Sequence, residues 1–434
     1  NDNLNRLNKM LKKITIILSL ILFLVFLSYL TYLKNEKPKD YLRAFNLIEY
    51  VTPQIFHSTI KMWVDNKTNN NRIQNDYNKV FLPETQYVKL DFKKIPLSFL
   101  KKSDVGYANV FSKKPFYIDI YKKYLFVMSK NNNLYYKLIN ELYDESKKFK
   151  KINLNIKTNE IKDIYIDQNH IYVSYVKIYN NCKYLYLAKA KINLENLIFQ
   201  DIFDIKDECM GIIQAGRIQK ITKKNITYIL LATSADSLKN DDEKDSKPQS
   251  EKSLYGKIIA INDRDYSFKI YTKGHRNILG LVVTNNAILA TENGPFGGDE
   301  INIISENKNY GWDIASTGKK YRNRNNSNIN EYLDHTSSGF EEPIFSFIPS
   351  LGISEIIKID DKFHNDWNGN FLIGTLNNRH LFRVKINILL KKIDYFEEIY
   401  IGERIRDLKY SRDNSIIIMA LEDSGSIGIL KKIN

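Results

Sequence analysis

Residues 273–314 read KGHRNILGLVVTNNAILATENGPFGGDEINIISENKNYGWDI. They form a strand flanked by two unusual loops. The first, Gly274-His275-Arg276-Asn277, sets a guanidinium beside a carboxamide at a strand entry. The second, Gly294-Pro295-Phe296-Gly297-Gly298-Asp299-Glu300, holds three glycines, so backbone carbonyls and a carboxylate can approach a ligand or a hard cation. Asn309-Tyr310-Gly311-Trp312 closes the stretch. Either loop alone reads equally well as a turn; it is their order that carries information.

On both sides of this stretch the chain is built of short β-branched and aromatic runs. They include FYIDIY (116–121), KYLFVMS (123–129), HIYVSYVKIY (170–179), KYLYLAKAKI (183–192), ITYILLATS (226–234), HLFRVKI (380–386) and SIIIMAL (415–421). Turn residues separate them, and from about residue 85 no long helical pattern intervenes, which predicts an all-β architecture. Strand–turn units such as YKKYLFVMSKNNNLYYKL (121–138) recur like the inner hairpins of propeller blades. Six blades in about 350 residues need about 58 each, hence loop insertions, of which the charged run 234–252 is one. A barrel or a pair of sandwiches is the alternative from pattern alone.

In order, these elements resemble the glucose/sorbosone dehydrogenase family, six-bladed propellers that hold pyrroloquinoline quinone (PQQ) and calcium. The chain reads as a divergent member, similar to soluble PQQ-dependent aldose sugar dehydrogenases. SLYGKIIAI (253–261) is similar to the strand before the GHRN loop, residues 348–386 to the following blade, and ERIRDL (403–408) to the closing Arg-x-Arg-Asp element. The resemblance implies oxidation of a sugar's anomeric carbon with hydride transfer to the quinone, at one mouth of the central channel. Carried over residue by residue, it places Arg276, Asn277, Asn293, Asp299, Asn377, Arg404 and Arg406 around the cofactor, with the carbonyls of Gly294 and Pro295 on calcium. Guanidinium forks suit the cofactor's carboxylates. Three positions depart from the family pattern. Ile213, in GIIQAGRIQK (211–220), stands where the catalytic histidine is expected, so no catalytic residue is assigned. Asn377 replaces a cofactor-facing lysine, and Asn293 a Gln or His. His380, beside Asn377, is the candidate substitute base. Two other readings stand beside the dehydrogenase: a catalytically inactive propeller binding a carbohydrate, anion or protein partner, and a calcium-dependent lactonase with a metal at the channel centre.

The rest of the chain bounds these readings. Its 434 residues carry a net charge of +15, but the lysines are scattered rather than gathered with aromatics into a phosphate-tracking groove, so no nucleic-acid partner is expected. Two cysteines, Cys182 and Cys209, allow one disulfide and exclude a four-cysteine zinc site. Residues 14–33 hold no formal charge and are long enough, at roughly 30 Å, to span a bilayer as a helix. With Arg6, Lys9, Lys12 and Lys13 ahead of it, this run predicts a single-pass anchor with a cytoplasmic N-terminus (1–13). A short helical stalk and linker (34–84) would follow, with the propeller (85–434) on the periplasmic or extracytoplasmic side.

Overall fold

The computed structural model describes residues 25, 26, 28–30, 32, 33, 88–100, 115–129, 132–235, 246–320 and 332–433. The chain divides into two compact units, Asn1–Lys79 and Val80–Asn434. In the first, the described residues between Val25 and Leu33 are helical. The remainder of the expected span 14–33, the N-terminus 1–13 and the stalk 34–84 lie outside the described residues. Among the described residues no helix is long and apolar enough to cross a membrane.

The second unit is a six-bladed β-propeller, as the strand pattern predicted; the barrel and sandwich alternatives are set aside. Each blade is an antiparallel sheet whose strands follow one another outward from the axis. The inner strands are Phe116–Tyr121, Glu160–Asp167, Ile218–Lys223, Ile278–Val283, Ile353–Lys358 and Ile405–Ser411, in blades 1 to 6. Each touches the next, and the last returns to the first. Closure comes from the N-terminal side: Leu90–Pro96 is the outer strand of blade 6, pairing with Ser426–Lys432. This joins the two ends of the ring within one blade. Blade 1 carries an extra short strand, Asn196–Leu197, parallel to Lys150–Leu154.

Alternating strands account for the packing. Side chains from facing sheets form separate apolar layers, for instance Tyr172, Leu185, Ile213, Ile229 and Tyr255 between blades 2 and 3. The inner strands depart from strict alternation. Register slips at Ile161/Asp163, Ile278/Gly280, Ile353/Ile356 and Ile405/Asp407 add a residue near the start of four of them. Such bulges re-aim side chains and carbonyls.

They converge on Arg217, just before the inner strand of blade 3. Its Nη1 lies 2.9 Å from Asp163, 2.9 Å from Glu355 and 3.1 Å from Asp407. Nε donates to Leu279 O at 2.6 Å and Nη2 to Arg406 O at 3.0 Å. The guanidinium sits 5.3 Å from the centre of the Tyr117 ring. One side chain thus reaches all five other blades. The same carboxylates stitch inner strands together: Asp163 accepts from Ile218 N, and Asp407 from Ile118 N.

Candidate functional site

The connections that lead into the inner strands, and those between second and third strands, lie at one end of the channel. This end is the mouth, and the sequence-predicted site residues fall there. Hydrogen bonds link them round its rim. Arg276 Nη1 donates to Asn293 O at 2.8 Å, and Asn293 N to Asn277 O at 2.9 Å. Asn277 Nδ2 donates to Gln214 Oε1 at 2.8 Å. Arg404 Nη1 donates to Asn377 Oδ1 at 2.5 Å.

The GHRN loop is held from beneath. Glu292 accepts from the Arg276 backbone N–H and lies 3.0 Å from His275 Nδ1, while His275 Nε2 is 2.8 Å from the Thr272 hydroxyl. His275 is fully buried and stacks on Tyr310, so its imidazole braces the loop. Gly274 is required: its φ is +76°, and a Cβ would meet Asn309 Oδ1 at 2.2 Å. Asn309–Trp312 therefore closes over the loop, with Trp312 5.3 Å from the Arg276 guanidinium.

Two atoms at this loop are left over. Arg276 Nε and Asn277 Oδ1 are buried without a hydrogen-bond partner. A buried unpaired donor or acceptor is costly, so an adjacent pair of them marks a place for a ligand.

The glycine loop has the opposite character. Asp299 is fully buried, and its carboxylate accepts from Gly294 N, Leu351 N and Ile353 N, each at 2.9 Å. It ties the loop to the entry of blade 5. The carbonyls of Gly294 and Pro295 accept no backbone hydrogen bond among the described residues. They border a cavity of about 10 Å³ that Glu292, Glu300, Tyr310 and His335 also line. Burial pushes the Glu300 carboxyl up to about 8, and the neighbouring Glu292 adds to this. Among the described residues no three His, Cys, Asp or Glu side chains are grouped as a metal site. A cation here would rest largely on carbonyls.

Across the mouth, Arg404 and Arg406 share one buried carboxylate. Glu422 Oε1 takes Arg404 Nε at 2.5 Å and Glu422 Oε2 takes Arg406 Nε at 2.8 Å. Glu422 thus orients both guanidiniums, while Asp423 accepts from the Arg404 backbone N–H at 3.2 Å. Glu422 escaped the sequence reading, although a signal existed. Glu292 closes the second strand of blade 4 and Glu422 follows that of blade 6, each reaching back to the arginine loop ahead of its own inner strand.

The expected catalytic position is different. Ile213 is buried among the apolar side chains of blades 2 and 3, and its carbonyl accepts from Lys162 Nζ. Its neighbour Gln214 is the exposed side chain of that turn. His380 packs against Phe382 and Tyr400, with Nδ1 2.5 Å from Asn378 O, on the third strand of blade 5 rather than beside Ile213. Tyr117 is no substitute base, because burial pushes its hydroxyl up to about 12. At the channel axis, where the lactonase reading asks for acidic and amide side chains around a metal, the Arg217 guanidinium lies among Asp163, Glu355 and Asp407.

Comparison with known proteins agrees with this layout. The sequence profile of the family described as Glucose / Sorbosone dehydrogenase matches residues 158–430. The chain is 29% identical to aldose sugar dehydrogenase YliI of Escherichia coli over 191 residues, 40% of this chain and 50% of that protein. It spans about half the length of the curated relatives it matches. The fold is similar to the apo-form of soluble aldose sugar dehydrogenase from Escherichia coli, with TM-score 0.63 at 18% identity over 79% of this chain and 99% of that one. It is also similar to the PQQ-bound form of aldose sugar dehydrogenase from Streptomyces coelicolor, with TM-score 0.52 at 16% identity over 80% and 100%. At such identities the structural likeness shows the fold.

Proposed function

Because the chain belongs to the Glucose / Sorbosone dehydrogenase family, we propose that its mouth binds PQQ but oxidises aldoses poorly. The observation that carries this reading is that Arg276 Nε and Asn277 Oδ1, a buried donor and a buried acceptor on consecutive residues of the GHRN loop, have no hydrogen-bond partner. Arg404 and Arg406 supply the cationic wall for the cofactor's carboxylates, oriented by Glu422. Gly294 and Pro295 offer carbonyls, and Glu300 a carboxyl, to calcium, a donor set that suits a hard cation. When bound, PQQ supplies the hydride-accepting carbon. The chain's own residues bind and orient, but at Ile213 they hold no group able to take a hydroxyl proton. Losing a positioned base costs roughly 10²–10⁴ in rate.

Calorimetric titration of the protein with PQQ, with and without calcium, tests the binding. Micromolar or tighter calcium-dependent affinity supports it, and absence of binding at millimolar PQQ sinks it. An aldose screen on the loaded protein then separates binding from turnover. The natural ligand class is a reducing sugar, which carries the anomeric hydroxyl.

The same reading places the propeller outside the cytoplasm, on a chain anchored through residues 14–33. The Cys182–Cys209 disulfide, with Cα atoms 5.1 Å apart, supports an oxidising compartment. Helical residues between Val25 and Leu33 support the helical character of that run. Fractionation of cells into membrane and soluble pools, with protease access to the propeller, checks it.

A further inference from the structure

The end of the propeller opposite the mouth carries a hairpin that no packing explains. In blade 5 the third strand, His380–Asn387, turns into the fourth, Lys392–Tyr400, through Ile388-Leu389-Leu390-Lys391. Leu389 is 95% exposed and Leu390 66%. A turn asks for polar residues and for glycine or asparagine where φ is positive, and here Lys391 takes the positive φ (48°). Among the described residues these two leucines at the tip of a turn leave most of their apolar surface uncovered. They are followed at once by Lys391 and Lys392, exposed lysines whose loose surface pairs with Glu341 (3.8 Å) and Asp394 (3.3 Å) leave their ammonium groups open to solvent, with Lys385 exposed on the strand below.

Beside the hairpin opens a cleft of about 480 Å³, lined by Asp366, Asn370, Arg383, Lys385, Asp394 and Tyr395. Arg383 is held there between the rings of Trp367 and Tyr395, with Nε 2.7 Å from Glu397. Cations set among carboxylates and an amide suit a group that carries both an anion and hydroxyl or ammonium donors.

The chain also enters the propeller at this end. Leu90, the first residue of the outer strand of blade 6, pairs with Lys432, and Pro96 at the mouth end pairs with Ser426. The residues ahead of Leu90 include the uncharged run 14–33.

We propose that the base of the propeller rests on an anionic phospholipid surface, with Leu389 and Leu390 entering the interface. Lys391 and Lys392 lie at headgroup level, and the cleft beside them receives a headgroup. Exposed apolar side chains backed by lysines are the composition that such a surface selects. The mouth then faces away from the lipid, towards soluble ligands.

The test uses the full chain reconstituted with vesicles of phosphatidylcholine alone, or mixed with phosphatidylglycerol, made with brominated acyl chains. Leu389→Trp, read as the difference from the unsubstituted protein with its own Trp63, Trp312 and Trp367, reports local insertion whether or not residues 14–33 also hold the protein. Phe296→Trp, at an exposed position on the mouth side, serves as reference. On phosphatidylglycerol vesicles the tryptophan at 389 shifts to shorter wavelength and is quenched several-fold more than the one at 296. K391E/K392E in the Leu389→Trp background abolishes the difference. Equal quenching at both positions overturns the proposal, as does a blue shift that appears without lipid and grows with protein concentration, which would assign the leucines to a second copy.

Discussion

Arg217 Nη1 and Asp407 Oδ1 meet at 3.1 Å across 190 residues of sequence, joining the entry of blade 3 to the inner strand of blade 6 through the channel axis. The contact makes the ring a single structure rather than six sheets in sequence. Asp163 and Glu355 complete the cluster, and burial pushes both carboxyls up against the pull of the guanidinium. Arg217 itself is driven upward by these carboxylates despite its own desolvation.

Removing the guanidinium takes away the group bonded to all three buried carboxyls and leaves them the charge of the buried Lys409 ammonium, which acts on each of them. Arg217→Ala is expected to destabilise the propeller by about 3–5 kcal/mol, the usual consequence of breaking a buried ion pair. Arg217→Lys keeps the charge but loses the fork to Leu279 O and Arg406 O, and falls between. Urea unfolding followed by far-ultraviolet circular dichroism checks the order.

Stability should also fall with rising pH. Burial raises Glu355 to about 8, above its unfolded value near 4.5, so between these values the folded state holds a proton that the unfolded chain has released. The stabilisation is complete below pH 4.5 and is lost as pH rises to 8, at up to about 1.4 kcal/mol per pH unit for one proton. Glu355→Gln should flatten this slope in melting curves from pH 5 to 8.5. Glu300, raised to about 8, and Asp163, raised to about 6, both by burial, leave a residual slope in the variant. Equal slopes in wild type and variant would place the proton elsewhere.

The architecture was legible because strand patterning and turn chemistry are local properties, and the GHRN and GGDEIN loops fall at the mouth as the resemblance implied. What stayed hidden was which partner each polar side chain takes. Asp299 reads as a loop carboxylate open to a ligand, yet three backbone N–H groups claim it, two of them from the entry of blade 5. Arg404 and Arg406 read as free forks, whereas Glu422 orients both. Arg217 draws no reading of its own within GIIQAGRIQK, and only the bulges of four other blades reveal it as the axis. These are contacts between residues far apart in sequence, fixed by ring closure.

The disulfide makes a third expectation. Cys182 and Cys209 enclose a loop with a sequence separation of 27, and Lys183 and Met210 pair beside them. Loop-closure entropy for that length amounts to about 3–4 kcal/mol. C182S/C209S should thus melt several degrees lower, and reductant should lower the wild-type melting temperature while leaving the double variant unmoved. A free-thiol assay of the native protein that finds two reactive cysteines would contradict the pairing.

Restoring a histidine distinguishes alignment from geometry. Ile213→His answers the sequence departure directly, but the side chain there packs among Leu185, Met210, Ile218 and Tyr255 in the layer between blades 2 and 3. An imidazole in that layer loses apolar contact and gains no partner for its N–H, a cost of about 1–3 kcal/mol. It is also buried in that layer, so aldose oxidation by the PQQ-loaded protein should remain at the wild-type level. Gln214 is the exposed side chain of the same turn, and it touches Asn277, whose Oδ1 awaits a partner. Gln214→His therefore sets a titratable ring at the rim, where a substrate hydroxyl could reach it. The expected result is a gain in turnover for Gln214→His and none for Ile213→His, with the gain following the deprotonation of an imidazole between pH 6 and 7. A gain confined to Ile213→His would mean that the turn refolds on substitution and that position 213 faces the ligand after all.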